Sequence, residues 1–548
     1  MRPVLPRTPA RRRPTTRSWL ATLALGAAAA AALSVGVPVA AAASRSPELG
    51  HALAPNTRFL VPTPADGSLQ QIRQLLRSDQ GNDAQLIAAM ESVPQAVWLD
   101  GETQAQAADG SAGVQQANRD VFRQVRQTLH RARRQDAVPV FVAYNIPGRD
   151  CSQFSAGGAP SDAAYDSWIN SIGQALGDAK AVLLLEPDAL ANLPGYCGAA
   201  YNTQFPNITD TTRIDDVAYG VTTLEQDPNI SLYLDGGHSA WQSPGNIAEV
   251  LTAADVQQAQ GFFLDVSNYQ YATNNAFYGV WVSSCITYAT QLQGVTQAAA
   301  LTDASTLVSS DNSPTGAFNT CGPGEYYNGG PANNFNAPST YNGTSLDPFG
   351  HPWAENPSDG DYDTTGPDSF YANILGSTPP SIHFVIDTSR DGLGPNSMSS
   401  YAAAPFDQPS SITSGLQSGN WCNPPGSGLG TRPTANTGGI LNSLDSFLPA
   451  DTNLLDAYLW VKLPGQSDGQ CDLAGGVRNW QNFTAAGAGG GDTPAIAGWP
   501  ASTDAAFSTF DPLWSLQEGS VVTDPAAGAW FPAQALQLAQ NANPRLGG

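Results

Sequence analysis

An α/β fold, a parallel seven-stranded βα barrel with long loops at one mouth, is what the sequence predicts. Short apolar segments recur along the chain, each ending at or just before a polar or aromatic residue. Helical patterns lie between several of them. About 505 residues follow an N-terminal leader, which suits one barrel bearing large insertions.

The leader comes first. Arg2, Arg7, Arg11, Arg12, Arg13 and Arg17 precede an Ala/Leu-rich run from Trp19 to Ala43 that lacks acidic residues. That is the make-up of a secretory signal with cleavage after Ala43. Pro38 and the small-residue end Ala41-Ala42-Ala43 suit processing better than a permanent membrane span. Residues 44–548 are therefore expected outside the cell as a single domain, free of the membrane and monomeric.

Setting aside the six leader arginines leaves 18 basic residues against 47 acidic ones, a formal charge of −29. Nucleic acid is excluded as a partner on that ground, whereas an uncharged polymer would not be repelled. Six cysteines, Cys151, Cys197, Cys285, Cys321, Cys422 and Cys471, are an even number in an exported chain, so disulfides are expected. Five histidines and no Cys-x-x-Cys pair argue against a zinc site.

The seven strand segments are Ala96 to Leu99, Val138 to Tyr144, Ala181 to Leu185, Ile230 to Leu234, Phe262 to Val266, Ile382 to Ile386 and Leu459 to Lys462. Between the second and third, Ser161 and Asp162 cap a helix whose apolar face is Tyr165, Trp168, Ile169, Ile172 and Leu176. Two stretches interrupt the alternation. Residues 311–379 are rich in Gly, Pro, Asn, Ser and Asp, yet dense in aromatics, and are expected to form an ordered lid. Residues 472–525 cluster glycines near their middle and read as a long loop.

In such barrels the chemistry gathers where the strands end. Trp98 and Asp100, Asp150, Asp188, Asp235, Asn268, Arg390, and Lys462 with Asp468 stand at or just past those ends. Carboxylates, indoles and hydrogen-bonding side chains around one mouth fit a carbohydrate site, with aromatic faces covering sugar faces. Inverting hydrolysis of a glycosidic bond needs an acid for the leaving oxygen and a base for water on the opposite face. Asp188, after Leu185-Glu186-Pro187, would by itself be read as a turn or capping aspartate.

The wider context changes that. Val142-Ala143-Tyr144-Asn145-Ile146-Pro147-Gly148-Arg149-Asp150-Cys151 and Leu185-Glu186-Pro187-Asp188-Ala189-Leu190 resemble the two signatures of glycoside hydrolase family 6, the cellobiohydrolases and endoglucanases. Trp98-Leu99-Asp100, Tyr233-Leu234-Asp235-Gly236-Gly237-His238 with Trp241, Asn268-Tyr269, Trp421-Cys422-Asn423, Trp460-Val461-Lys462 and Gly528-Ala529-Trp530-Phe531 extend the likeness from about Trp98 to Pro544.

The resemblance implies a distorted seven-stranded βα barrel, one catalytic domain hydrolysing β-1,4-glucan with inversion and without a cofactor. It implies Asp188 as proton donor, Asp150 as its supporting aspartate, Tyr144 as the residue that favours sugar distortion and Asp468 as candidate base. An ionised Asp150 would help keep Asp188 protonated, and Arg149 would help keep Asp150 ionised. Trp98, Trp241 and Trp421 match sugar-stacking positions. Asp100, His238, Asn268 and Lys462 match hydroxyl-binding ones, Arg390 more weakly, and Gln466 stands where a glutamate is common. The family pattern pairs Cys151 with Cys197 and Cys422 with Cys471, leaving Cys285 and Cys321 to each other. Two long insertions favour a roofed cleft and exo action from the non-reducing end. An open-cleft endoglucanase is the alternative, and a non-catalytic glycan-binding protein is one of another class.

Overall fold

The computed structural model describes residues 53–100, 110–152, 155–239, 241–308, 314–321, 340–341, 344–345, 365–394, 422–423, 426–438, 453–469 and 524–547. The leader, Trp421, Cys471 and the greater part of both long insertions lie outside them.

Seven strands form one parallel sheet in chain order: β1 (Val97–Leu99), β2 (Val140–Ala143), β3 (Ala181–Leu185), β4 (Ile230–Asp235), β5 (Gly261–Leu264), β6 (His383–Asp387) and β7 (Leu455–Leu459). The sheet curls until its edges approach. The Ala96 N–H donates to the Trp460 carbonyl at 3.0 Å, and the Trp98 indole N–H donates to the Val461 carbonyl at 2.8 Å. No ladder joins β1 to β7 among the described residues. The barrel is therefore distorted as expected, with its seam between the first and last strands.

The strands are apolar throughout because both faces are buried. Val140, Val142, Val182, Leu184, Tyr233, Phe263, Val385, Ala457 and Leu459 pack inside the barrel. Alternate residues, among them Phe141, Leu183, Leu185, Leu232, Leu234, Phe262, Phe384 and Ile386, pack outward against helices. Those helices include α1 (Asp66–Arg77), α2 (Gly81–Glu91), α3 (Gly110–Gln135), α4 (Asp162–Leu176), α5 (Asp210–Leu224), α6 (Pro244–Ala253), α7 (Ala272–Thr287), α8 (Thr365–Leu375) and α9 (Pro532–Gln540). Ser161 caps α4 by accepting from the Ala164 N–H, and the five apolar residues assigned to that helix are buried. None of the described helices is long and apolar enough to cross a membrane.

Two elements differ from the sequence reading. The last strand is Leu455–Leu459, four residues earlier at its start than the apolar pattern suggested. Asp456 hides it by breaking the apolar run. Its carboxylate is inside, accepting from the Tyr233 hydroxyl at 2.6 Å and the Gln260 amide at 2.8 Å, with His383 Nδ1 at 2.8 Å. A register shift between Phe384 and Val385 accommodates the extra residue.

The first insertion is the other difference. It does not follow a strand exit. The Ser381 and Ile382 N–H groups donate to Thr287 Oγ1 and Ser283 Oγ, so the chain from the end of α7 to β6 leaves and returns at the strands' entry end. The Cys285–Cys321 disulfide fastens this stem, and the Tyr371 hydroxyl donates to the Cys321 carbonyl at 3.1 Å. The lid itself, expected over 311–379, falls mainly outside the described residues.

Candidate active site

The mouth is built from sharp turns at strand exits. Glu186 and Asp188 both have positive φ, 55° and 66°, on either side of Pro187, whose φ is fixed by its ring. The turn is pinned from β4. Asp235 Oδ2 accepts the Leu190 and Ala191 N–H groups at 3.0 and 2.8 Å, and its Oδ1 accepts from Gly237 at 3.0 Å. Asp188 therefore belongs to no regular helix cap.

Glu186 joins two exits. Buried at the end of β3, its carboxylate accepts the Asn145 N–H at 2.9 Å and the Ile146 N–H at 2.9 Å. The segment after β2 then carries Tyr144, Arg149 and Asp150. Trp98 meets the Tyr144 ring edge-on, with centroids 5.3 Å apart. Arg149 lies 4.5 Å from the centre of the same ring and donates to the carbonyls of Tyr144, Asp100 and Ser155. Asp150, with φ 54°, accepts the Ser155 N–H, and the Cys151–Cys197 disulfide follows directly.

Like charges crowd this side. Burial, then the charges of Asp235 and Asp150, push the Asp188 carboxyl well above the usual range, against the pull of Lys462. Burial raises Asp150 to about 6, opposed by the Ser155 N–H and Arg149. Asp235 also rises to about 6 through burial, despite its backbone donors. Asp235 ranks above Asp150 as a charge acting on Asp188, a contribution the sequence reading missed.

The opposite side is neutralised. Arg390 Nη1 donates to Asp468 Oδ2 at 2.7 Å and Nη2 to Oδ1 at 3.2 Å, while Lys462 Nζ lies 2.9 Å from Oδ1. The Asn423 N–H adds a contact at 2.8 Å. Burial alone would raise this carboxyl, but the two cations hold it far below the usual range. Arg390 is 1% exposed and also donates to the Ser267 carbonyl, so its guanidinium faces Asp468 rather than an open cleft, unlike the hydroxyl-binding placement expected of it. Lys462 likewise points at Asp468, with the Ser467 carbonyl at 3.4 Å.

The remaining positions frame the mouth. His238 is buried and held neutral by burial, which lowers it to about 3, and its ring lies 5.4 Å from that of Trp241. Asn268 is half-buried beside its own loop, donating to the Val266 carbonyl at 3.3 Å. Asp100 is exposed. Gln466 is half-buried, and its backbone pairs with Trp530. Cys422 is disulfide-bonded, but Cys471 and Trp421 lie outside the described residues. The second insertion is rooted here: Ser467 Oγ donates to the Pro525 carbonyl at 2.8 Å, joining the two sides of the 470–523 segment next to Asp468.

The pattern of the family described as glycosyl hydrolases family 6 matches residues 54–542. The chain belongs to that family. Among family 6 relatives, it is 26% identical over 417 residues to a 1,4-beta-D-glucan cellobiohydrolase C of Emericella nidulans, covering 74% of this chain and 61% of that one. It is 28% identical over 342 residues to endoglucanase A of Thermobispora bispora, covering 62% of this chain and 46% of that one. This chain thus spans 61% and 46% of the lengths of those two curated relatives. A solved family 6 structure, cellobiohydrolase II (Cel6A) from Humicola insolens in complex with glucose and cellotetraose, is 20% identical with a TM-score of 0.49, covering 91% of this chain and 99% of that one.

Proposed function

We propose that this chain is a secreted, monomeric, cofactor-independent enzyme that hydrolyses β-1,4-glucan with inversion, with Asp188 as the acid. The observation that carries the reading is the Glu186-Pro187-Asp188 turn, where Asp188 shares the mouth with Asp235 and Asp150. A carboxyl so placed keeps its proton and can deliver it to a leaving oxygen.

The attacking water on the other face must lose its proton, directly or through further water. Asp468 is the family-pattern choice, but a carboxylate tied to two cations has little proton affinity. We assign it to fixing the charge and water of the opposite wall. Asp150, with a value of about 6, is better matched to receive a proton through intervening water. Tyr144 is the sugar-distorting residue in this scheme. Trp98 and Trp241 form the stacking platforms, with His238, Asn268, Asp100 and Gln466 along the rim.

We favour cellobiohydrolase action from non-reducing ends because the 470–523 segment is rooted at both sides beside Asp468. The endoglucanase alternative is favoured by the other insertion, whose stem lies at the strands' entry end and so gives no base for a roof. Viscosity and soluble-sugar release on carboxymethylcellulose should separate them. Slow viscosity loss is expected, with an α-configured first product by NMR. A rapid fall in viscosity would remove the exo assignment, and a β-configured product would remove inversion.

A further inference from the structure

The backbone between Tyr144 and Asp150 is held from two sides, its N–H groups by a carboxyl and its carbonyls by a guanidinium. Glu186 takes the N–H groups of Asn145 and Ile146, as described above. On the carbonyl side stands Arg213, in the first turn of α5 and outside every motif that the sequence analysis singled out. It is 3% exposed. Its Nη2 donates to the Pro147 carbonyl at 2.8 Å, with the Gly148 carbonyl and Tyr201 Oη each at 3.4 Å. The Tyr201 hydroxyl donates to the Gly148 carbonyl at 2.8 Å.

This grip leaves the segment no slack. Gly148 has φ +60°, and a Cβ there would lie 2.4 Å from Tyr201 Oη and 2.9 Å from Ile208 Cδ1. Two residues later the chain reaches Asp150, and one after that the Cys151–Cys197 disulfide closes the far side. Arg213 therefore fixes the approach to Asp150 and the disulfide fixes the exit. The Pro147 and Gly148 carbonyls and the Tyr201 hydroxyl all meet the guanidinium at Nη2, the tip of a long planar group whose shape and reach a compact ammonium does not reproduce. Burial raises both Glu186 and Asp216, and the Arg213 charge partly opposes that rise.

We infer that Arg213 is a positioning residue for the proposed hydrolysis, setting the place of the Asp150 carboxylate through the Pro147–Gly148 carbonyls without touching substrate. The inference rests on the reading of Asp150 given above. A misplacement of about 1 Å in a reacting group is enough to cost roughly a hundredfold in rate.

The test compares Arg213→Met, Arg213→Lys, Tyr201→Phe and Asp150→Asn on cellohexaose, with kcat, KM, the pH profile and the melting temperature measured for each. Asp456→Asn, at the opposite end of the barrel, shows what lost stability alone does. Arg213→Met is expected to lower kcat about 30-fold with KM within about threefold, and to move the acid limb of the pH profile. Arg213→Lys should recover little of that, and Tyr201→Phe should show the same displacement of the limb on a smaller scale. Asp456→Asn should melt earlier with kcat and profile unchanged. If Asp150→Asn loses activity while the Arg213 and Tyr201 variants keep the wild-type kcat and pH profile, the positioning role is wrong and the reading of Asp150 stands. If Asp150→Asn itself retains kcat, that reading fails and takes this inference with it. Full recovery by Arg213→Lys would show that charge alone matters and would also overturn the inference.

Discussion

The two walls of the mouth handle buried carboxylates in opposite ways. On one wall Asp188, Asp150 and Asp235 share a confined space with one another and with backbone N–H donors. On the other, Asp468 faces Arg390 and Lys462 at salt-bridge distance. One arrangement favours holding a proton, whereas the other favours holding a charge. The contrast teaches that residue type does not fix the role of an aspartate in this site; the neighbours supplied by adjacent strand exits do.

The largest effect should come from the proton-holding wall. Asp188→Asn is expected to lower kcat on cello-oligosaccharides about a thousandfold. It should largely spare β-cellobiosyl fluoride, whose leaving group needs no protonation. Equal losses on both substrates would remove the acid role.

Arg390→Met breaks the neutralised wall. It leaves Asp468 buried with one cation instead of two, and a loss of about 1.5 to 3 kcal/mol in urea unfolding is expected. An unchanged unfolding midpoint would mean that Lys462 alone suffices.

Asp235→Asn sharpens the comparison on the first wall. Removing the strongest neighbouring charge should lower the Asp188 pKa and move the alkaline limb of the kcat/KM profile to lower pH. A limb left in place would show that the Asp235 charge does not help to hold the Asp188 proton.

The smallest effect is on stability against pH. Burial raises Glu186 and Glu249 to about 7 and Asp216 to about 8. Each binds its proton more tightly folded than unfolded, so its contribution is complete below the ordinary carboxylate range and is lost as pH climbs through these values. Asp468 has the opposite sign, but its change lies in stronger acid. The melting temperature should therefore be a few degrees higher at pH 5 than at pH 8. A flat or rising profile would contradict these buried acids.

Much of the barrel could be read from the sequence because six of its strands are nearly unbroken apolar runs with polar exits. Ala181–Leu185 coincides with its sequence segment. The seventh was misplaced because Asp456 is satisfied by Tyr233, Gln260 and His383, partners far away in the chain. The same limit applies at the mouth. Motifs located Asp188, Asp150 and Asp468, but the cations on Asp468 and the weight of Asp235 depend on which exits face each other. Glu186 left a usable sign, a carboxylate directly after five buried apolar residues. Arg213 left none, since its shortest contact is to the Pro147 main-chain carbonyl, which carries no signature in side chains.

Trp98 serves two masters. The nitrogen of its indole holds the first strand to the last across the seam, while its ring meets Tyr144 at the mouth. Under the stacking role proposed for Trp98, a substitution there that retunes sugar preference would also loosen the hoop of the barrel. Trp241, beside His238 after the fourth strand, is the other proposed platform from which to redesign the cleft.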